Sequence, residues 1–193
     1  MKKFGQTNTQ TKTTIIGIDY SLTSPAVCVN DDGDFMFYYL TNKKKWIGQM
    51  AKNIIGYEHQ EYKTPIHRFS QISDWVFDVL KDTLHKQQQV YIEGYSFGSK
   101  GQGIFQIAEN CGILKYRLQE NRIPYDTVVP SVVKKGATGK GNADKDMMYE
   151  AFVKETKIDL KKIFDTEKVG NPISDIVDSY YIQKVGHDNL LCS

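Results

Sequence analysis

The sequence predicts an α/β fold with a mixed five-stranded sheet, in the order βββαβαβα, flanked by helices. Three observations lead there. Short apolar runs bounded by turn residues fall at 14–19, 25–30 and 35–40, close enough together for an antiparallel meander. Two longer stretches, 66–84 and 104–118, carry apolar residues at helical spacing. Isolated β-type runs, Val90-Tyr91-Ile92-Glu93 and Tyr125 to Val129, follow each of those helices.

Each element has its own signal. Residues 1–12 hold almost nothing apolar and are expected to be a disordered tail, leaving 13–193 as a single domain. Thr14-Ile15-Ile16-Gly17-Ile18-Asp19 is a buried-type strand that ends in a carboxylate. Asp31-Asp32-Gly33-Asp34 supplies hairpin chemistry between the second and third strands. The segment 41–62 has mixed signals and is taken as the crossing to the first helix. That helix opens at Thr64-Pro65, a cap followed by proline, and presents Ile66, Phe69, Ile72, Val76, Leu80 and Leu84 to the core. After the strand ending at Glu93, the glycine-rich stretch 94–103 is a loop. Ile104, Ile107, Cys111, Leu114 and Leu118 then mark the second helix. Residues 130–144 form a Lys- and Gly-rich connection to a helix around Met147 to Val153, and Asn171-Pro172 reads as a capped start of the last helix.

Composition excludes several classes. At 193 residues and 40% apolar content the chain suits one globular domain. No apolar run approaches a membrane span, and the polar start lacks the apolar stretch of a secretory leader, so a cytoplasmic location and no membrane partner are expected. Cys28, Cys111 and Cys192 lack metal-ligand spacing and are expected to be reduced bystanders. The net charge of +2 is uninformative, but Lys43, Lys44 and Lys45 beside Trp46, and Lys134, Lys135, Lys140 and Lys145, form local basic clusters.

The acids carry the chemistry. Asp19 and Glu93 close two strands, and Asp175 and Asp178 share a face at the start of the last helix. Each alone has an ordinary use: a strand-end Asp caps turns, and acids near a helix N-terminus complement its dipole. If the two acid-bearing strands are parallel neighbours, all four carboxylates meet at one site. Such a cluster cannot stay ionised unassisted, and its oxygen-only donors suit Mg²⁺ or Mn²⁺ rather than zinc.

On these residues the chain resembles the RuvC-like Holliday junction resolvases of the ribonuclease H-like superfamily, particularly bacteriophage forms. The resemblance covers Ile15 to about Gln183. It rests on Ile-Gly-Ile-Asp at 16–19, Tyr-Ile-Glu at 91–93, Val-Lys-Lys-Gly-Ala-Thr-Gly-Lys-Gly-Asn-Ala-Asp-Lys at 133–145 and Asp-Ile-Val-Asp at 175–178. The resemblance implies that the four acids hold two Mg²⁺ ions, with Asp19 bridging and Mn²⁺ able to substitute. It implies that Lys134 and Lys145 lie near the scissile or a flanking phosphate, and that one ion activates a water while the other stabilises the leaving 3′ oxygen. It further implies a homodimer joined through the 104–120 helix region, a four-way or branched DNA substrate, no nucleotide cofactor, and a phage-infected bacterial cell as setting. Two positions depart from the family. Tyr20-Ser21 stand where Pro-Gly is usual, and Ser96 stands where many members carry an aromatic wedge, although Tyr95 and Phe97 flank it.

Among the DNA-contact candidates, Lys134, Lys135, Lys140 and Lys145 are interleaved with glycines that let backbone N–H groups approach phosphate. Tyr95 or Phe97 could stack on an unpaired base, or Phe97 could simply cover the apolar base of its loop. Lys43 to Lys45 stay open between phosphate contact and a solvated face. The expected activity is Mg²⁺-dependent, structure-selective cleavage of four-way DNA by paired symmetric nicks. The alternatives are a ribonuclease H-like or flap/fork nuclease with the same acids, and a noncatalytic branched-DNA binding protein.

Overall fold

The computed structural model describes residues 13–84, 86–95 and 103–191; the tail expected at 1–12, Phe97 and Cys192 lie outside the described residues. The described strands are β1 (Thr14–Asp19), β2 (Ala26–Asp31), β3 (Asp34–Thr41), β4 (Gly48–Ala51), β5 (Ile54–Glu58), β6 (Gln88–Glu93) and β7 (Tyr125–Val128). They form one sheet in the order β4-β5-β3-β2-β1-β6-β7. The helices are α1 (Pro65–Leu80), α2 (Gly103–Glu120), α3 (Pro130–Thr138), α4 (Lys145–Thr156), α5 (Leu160–Ile163) and α6 (Ile173–Leu191).

The mixed α/β architecture agrees with the sequence, but the five-strand count does not. The two extra strands come from the segment 41–62. There a glycine at φ 97°, Gly48, opens a short hairpin whose second strand pairs parallel to β3. A four-residue strand broken by Lys52-Asn53 has too little alternation to be read locally; pairing on the sheet edge creates it. The connection 130–144 also holds a helix, α3. Pro130 occupies its first turn and Gly139, at φ 79°, ends it.

Helices cover both faces. Ile16, Ile18, Val27 and Val90 pack against Ile72 and Val76 of α1 and Leu114 and Leu118 of α2. On the other face, Ile15, Phe37, Tyr39 and Tyr91 pack against Phe152, Phe164 and the apolar side of α6. Each fully buried aliphatic of this kind contributes about 1.5–3 kcal/mol. In α1, Thr64 accepts a hydrogen bond from His67 N at 3.1 Å, as its cap position predicts. The ends of the predicted stripe stay outside the core: Ile66 is 59% and Leu84 48% exposed, while Trp75 and Val79 are buried instead.

Strand alternation sets the direction of the first acid. Ile15 faces α6 and Ile16 and Ile18 face α1 and α2, so Asp19 falls on the α6 side. Cys28 and Cys111 are buried free thiols, and among the described residues no helix is long and apolar enough to cross a membrane.

Candidate active site

Parallel pairing of β1 and β6 aligns Ile18 with Ile92, so Asp19 and Glu93, one residue further on, end neighbouring strands side by side. Helix α6 begins at Ile173, after a cis Asn171–Pro172 bond, and brings Asp175 and Asp178 over those strand ends. Asn171 does not cap the helix backbone as expected; its Oδ1 accepts from Ser174 Oγ at 3.1 Å. Ser174 Oγ has a single proton to share between Asn171 Oδ1 and Asp175 Oδ1, which lies 3.3 Å away, and it accepts from Lys145 Nζ at 3.3 Å.

The four acids share one field. Burial drives the Asp19 carboxyl well above the usual carboxylate range, and Asp175, Glu93 and Asp178 push it further, against a pull from Lys145. Burial also raises Asp178 to about 7, assisted by Glu93 and Asp175 and opposed by Lys145 and Lys134. Asp175 rises to about 6 through burial, eased by Ser24, Lys145 and Ser174. Ser24 stands beside this carboxyl, yet neither its Oγ nor Asp175 Oδ2 has a partner of hydrogen-bonding geometry. Glu93 is raised by burial, with Lys134 pulling it back.

Asp19, Glu93 and Asp178 open onto a cleft of about 620 Å³ that Tyr20, Tyr95 and Lys134 also line. Asp175 sits behind it, 6% exposed. Two of the four candidate lysines thus reach the acids: Lys134, on the side of α3, and Lys145, in the first turn of α4, where Asp144 accepts from Met147 N at 2.9 Å. Lys135 and Lys140 are exposed nearby and do not figure among the charges acting on the acids. Tyr95 is 44% exposed at the cleft rim, with Lys115 Nζ 5.1 Å from its ring centre.

No family model matches the chain, and no curated protein does. Among solved structures it is similar to T. thermophilus RuvC in complex with Holliday junction substrate, with a TM-score of 0.61 and 15% identity over 92% of this chain and 94% of that one. It is also similar to a Thermus thermophilus RuvC structure, with a TM-score of 0.56 and 14% identity over 91% and 96%. The chain has the RuvC fold.

Within that fold the donor set suits a hard divalent cation. All four side chains offer oxygen, all are held above their ordinary pKa by burial, and one oxygen, Asp175 Oδ2, is buried without a partner. Among the described residues no group of three or more His, Cys, Asp or Glu forms a ready-made metal cage.

Sequence reasoning missed the braces of this site. Arg68 Nη2 donates to Leu22 O, and His59 Nε2 lies 3.0 Å from Thr23 O, so the loop after Asp19 is tied to α1 and to the end of β5. Burial lowers the pKa of His59, with Thr23 O raising it and Arg68 lowering it. Nothing local in the sequence marks these residues, which meet the loop only through the fold.

Proposed function

We propose that the chain is a Mg²⁺-dependent, structure-selective endonuclease that resolves four-way (Holliday) and other branched DNA by paired symmetric nicks. The observation that carries this is the convergence of Asp19, Glu93, Asp175 and Asp178 in one buried field, with Lys134 and Lys145 beside them, in the fold of a protein solved with Holliday junction substrate.

Asp19, whose carboxyl feels the other three acids, would together with Glu93, Asp175 and Asp178 hold two Mg²⁺ ions. When bound, Mg²⁺ or Mn²⁺ would neutralise the acids and supply Lewis-acid activation of the attacking water and the leaving 3′ oxygen. The chain's own residues do the rest. Lys134 and Lys145 set a positive potential that orients a phosphate over the acids. Ser174 fixes the Asp175 carboxylate, and the Arg68 and His59 braces hold the cleft wall at Leu22 and Thr23. Tyr95 offers its ring to an unpaired base. One water is consumed per bond cut, leaving a 5′ phosphate and a 3′ hydroxyl that can be ligated.

Two symmetric cuts in a two-fold junction call for a homodimer with one such site per protomer. The exposed rings of Phe105 and Tyr116 on α2, 69% and 63% accessible, support that helix as the interface. The test is cleavage of end-labelled four-way DNA beside linear duplex, fork and RNA–DNA hybrid, with Mg²⁺ or EDTA, for wild type and Asp19→Asn. Paired junction nicks that vanish with EDTA and in the variant are expected. Cutting of the hybrid or fork alone overturns the substrate assignment, and junction binding without any cutting overturns the enzyme.

A further inference from the structure

Lys43, Lys44 and Lys45 take no part in the chemistry above, yet the topology delivers them to the same edge of the sheet. Strands β3, β1, β6 and β7 are mutually parallel, with β2 running against them, so their C-terminal ends lie along one edge. The acids hold the middle of that edge, at β1 and β6. On one flank α3 leaves β7 with Lys134; on the other the chain leaves β3 at Thr41 into the lysine turn. Four strand spacings of about 4.8 Å put roughly 19 Å between the two flanks. At about 3.4 Å per phosphate along a strand, DNA crosses that distance in roughly five or six nucleotides.

The turn is a built feature. Trp46 is 7% exposed, its Nε1 donates to Phe164 O at 3.0 Å, and its carbonyl accepts from Tyr39 Oη at 2.5 Å. Lys43 Nζ and Lys45 Nζ stand over the indole at 4.2 and 4.8 Å from its centre. Lys43 Nζ also donates to Asn171 O at 3.1 Å, in the turn that precedes α6 and its acids. Several basic residues elsewhere have acidic partners: Lys86 with Asp31, Arg117 with Asp74, Lys184 with Glu155. Lys43, Lys44 and Lys45 are exposed, and among the described residues none is paired with a carboxylate. Two cations held over an aromatic platform, with the exposed Lys44 between them in the chain and no carboxylate paired to any of the three, form a pre-ordered anion site, in which part of the ordering cost of binding is already met.

We infer that Lys43, Lys44 and Lys45 form a second phosphate-binding site that grips the backbone of one DNA arm, on the flank of the active site opposite α3. The inference rests on the DNA-cutting function proposed above. Through Lys43 and Asn171 the grip bears on the segment that leads into Asp175 and Asp178.

The experiment measures binding of labelled four-way DNA by the full chain carrying Asp19→Asn, across a salt series, with and without Lys43→Ala/Lys44→Ala/Lys45→Ala. Removing the triad should make the slope of log K against log salt shallower by about 2 to 3, as expected for two or three lost phosphate contacts. Lys44→Glu serves as the second variant, because the Lys44 side chain is exposed and makes no hydrogen bond or ion pair among the described residues, so the fold should tolerate the change; a slope change of about 1 is expected. If the triple variant does not fold, as seen by thermal melting, Lys44→Glu decides alone. Unchanged slopes in a protein whose wild type binds and cuts junctions overturn this inference and leave the function standing. A wild type that binds no DNA overturns both.

Discussion

A β-carbon on Gly17 would stand 2.1 Å from the carbonyl oxygen of Ser179. Helix α6 therefore lies directly on the backbone of β1, closer than any side chain would allow. Asp19 is two residues along the same face of the strand, and Asp178 immediately precedes Ser179, so this glycine contact sets how near the acids come. Gly186, further along α6, makes the same allowance for the Tyr91 ring, which an added carbon would meet at 2.4 Å.

Gly17→Ala should thus damage both stability and chemistry. The added methyl meets backbone that cannot rotate away, so the cost should reach or exceed the roughly 1–3 kcal/mol of ordinary overpacking. For a domain of this size that lowers Tm by about 2–4 °C per kcal/mol. Thermal denaturation checks the first effect. Junction cleavage measured below the melting range checks the second and should fall further than binding does.

The raised acids make metal-free stability depend on pH, and the sign follows from linkage. Asp175 and Asp178, lifted to about 6 and about 7 from 3.8, keep protons in the folded chain that the unfolded chain has released. Their contribution to stability is fully present below about pH 4 and is lost as pH rises through 6 to 7. In EDTA the urea midpoint should fall between about pH 5 and pH 8. Asp178→Asn should flatten that fall and raise the midpoint at pH 8, and added Mg²⁺ should restore the wild type at the same pH.

The lysines should separate into two groups. Lys134→Ala and Lys145→Ala remove cations that act on the acids, and each should slow cleavage at saturating DNA by roughly tenfold to a hundredfold, or about 1.4–2.7 kcal/mol. Lys135→Ala and Lys140→Ala remove exposed charges only. They should weaken binding, with a salt slope shallower by about 1 each, and leave the saturated rate close to wild type. Single-turnover cleavage beside a binding titration distinguishes the groups.

Tyr95→Ala should weaken binding to four-way DNA by about 1–3 kcal/mol, the worth of one base–aromatic stack, while affinity for linear duplex changes little. Tyr95→Phe keeps the ring and should bind as wild type does. Equal losses on junction and duplex would show instead that Tyr95 serves the cleft wall through its neighbours Lys115 and Cys111.

Five of the seven described strands, the long helices α1, α2 and α6 and the placement of the four acids were legible in the sequence, because each is written in local spacing. Asp19 and Glu93 could be paired from a single topological assumption, that their strands are parallel neighbours, and the sheet bears it out. Helix α3 was missed because Gly136 and Gly139 make the stretch look like a loop. Gly136 lies within α3, and its missing β-carbon lets Val185 of α6 pack close, a long-range contact.

By itself, the sequence singled out the candidate residues and placed the four acids at strand ends and a helix start, since periodicity, caps and strand-end carboxylates depend on neighbours a few residues away. Only the tertiary structure decided which of them meet. It separated Lys134 and Lys145 from Lys135 and Lys140, added two strands at the sheet edge, recruited Arg68 and His59 to the loop after Asp19, and carried Lys43 to Asn171. The physical reason is that these contacts join residues tens of positions apart. Their geometry is set by how strands pair and how closely α6 can lie on Gly17, and no local pattern encodes that.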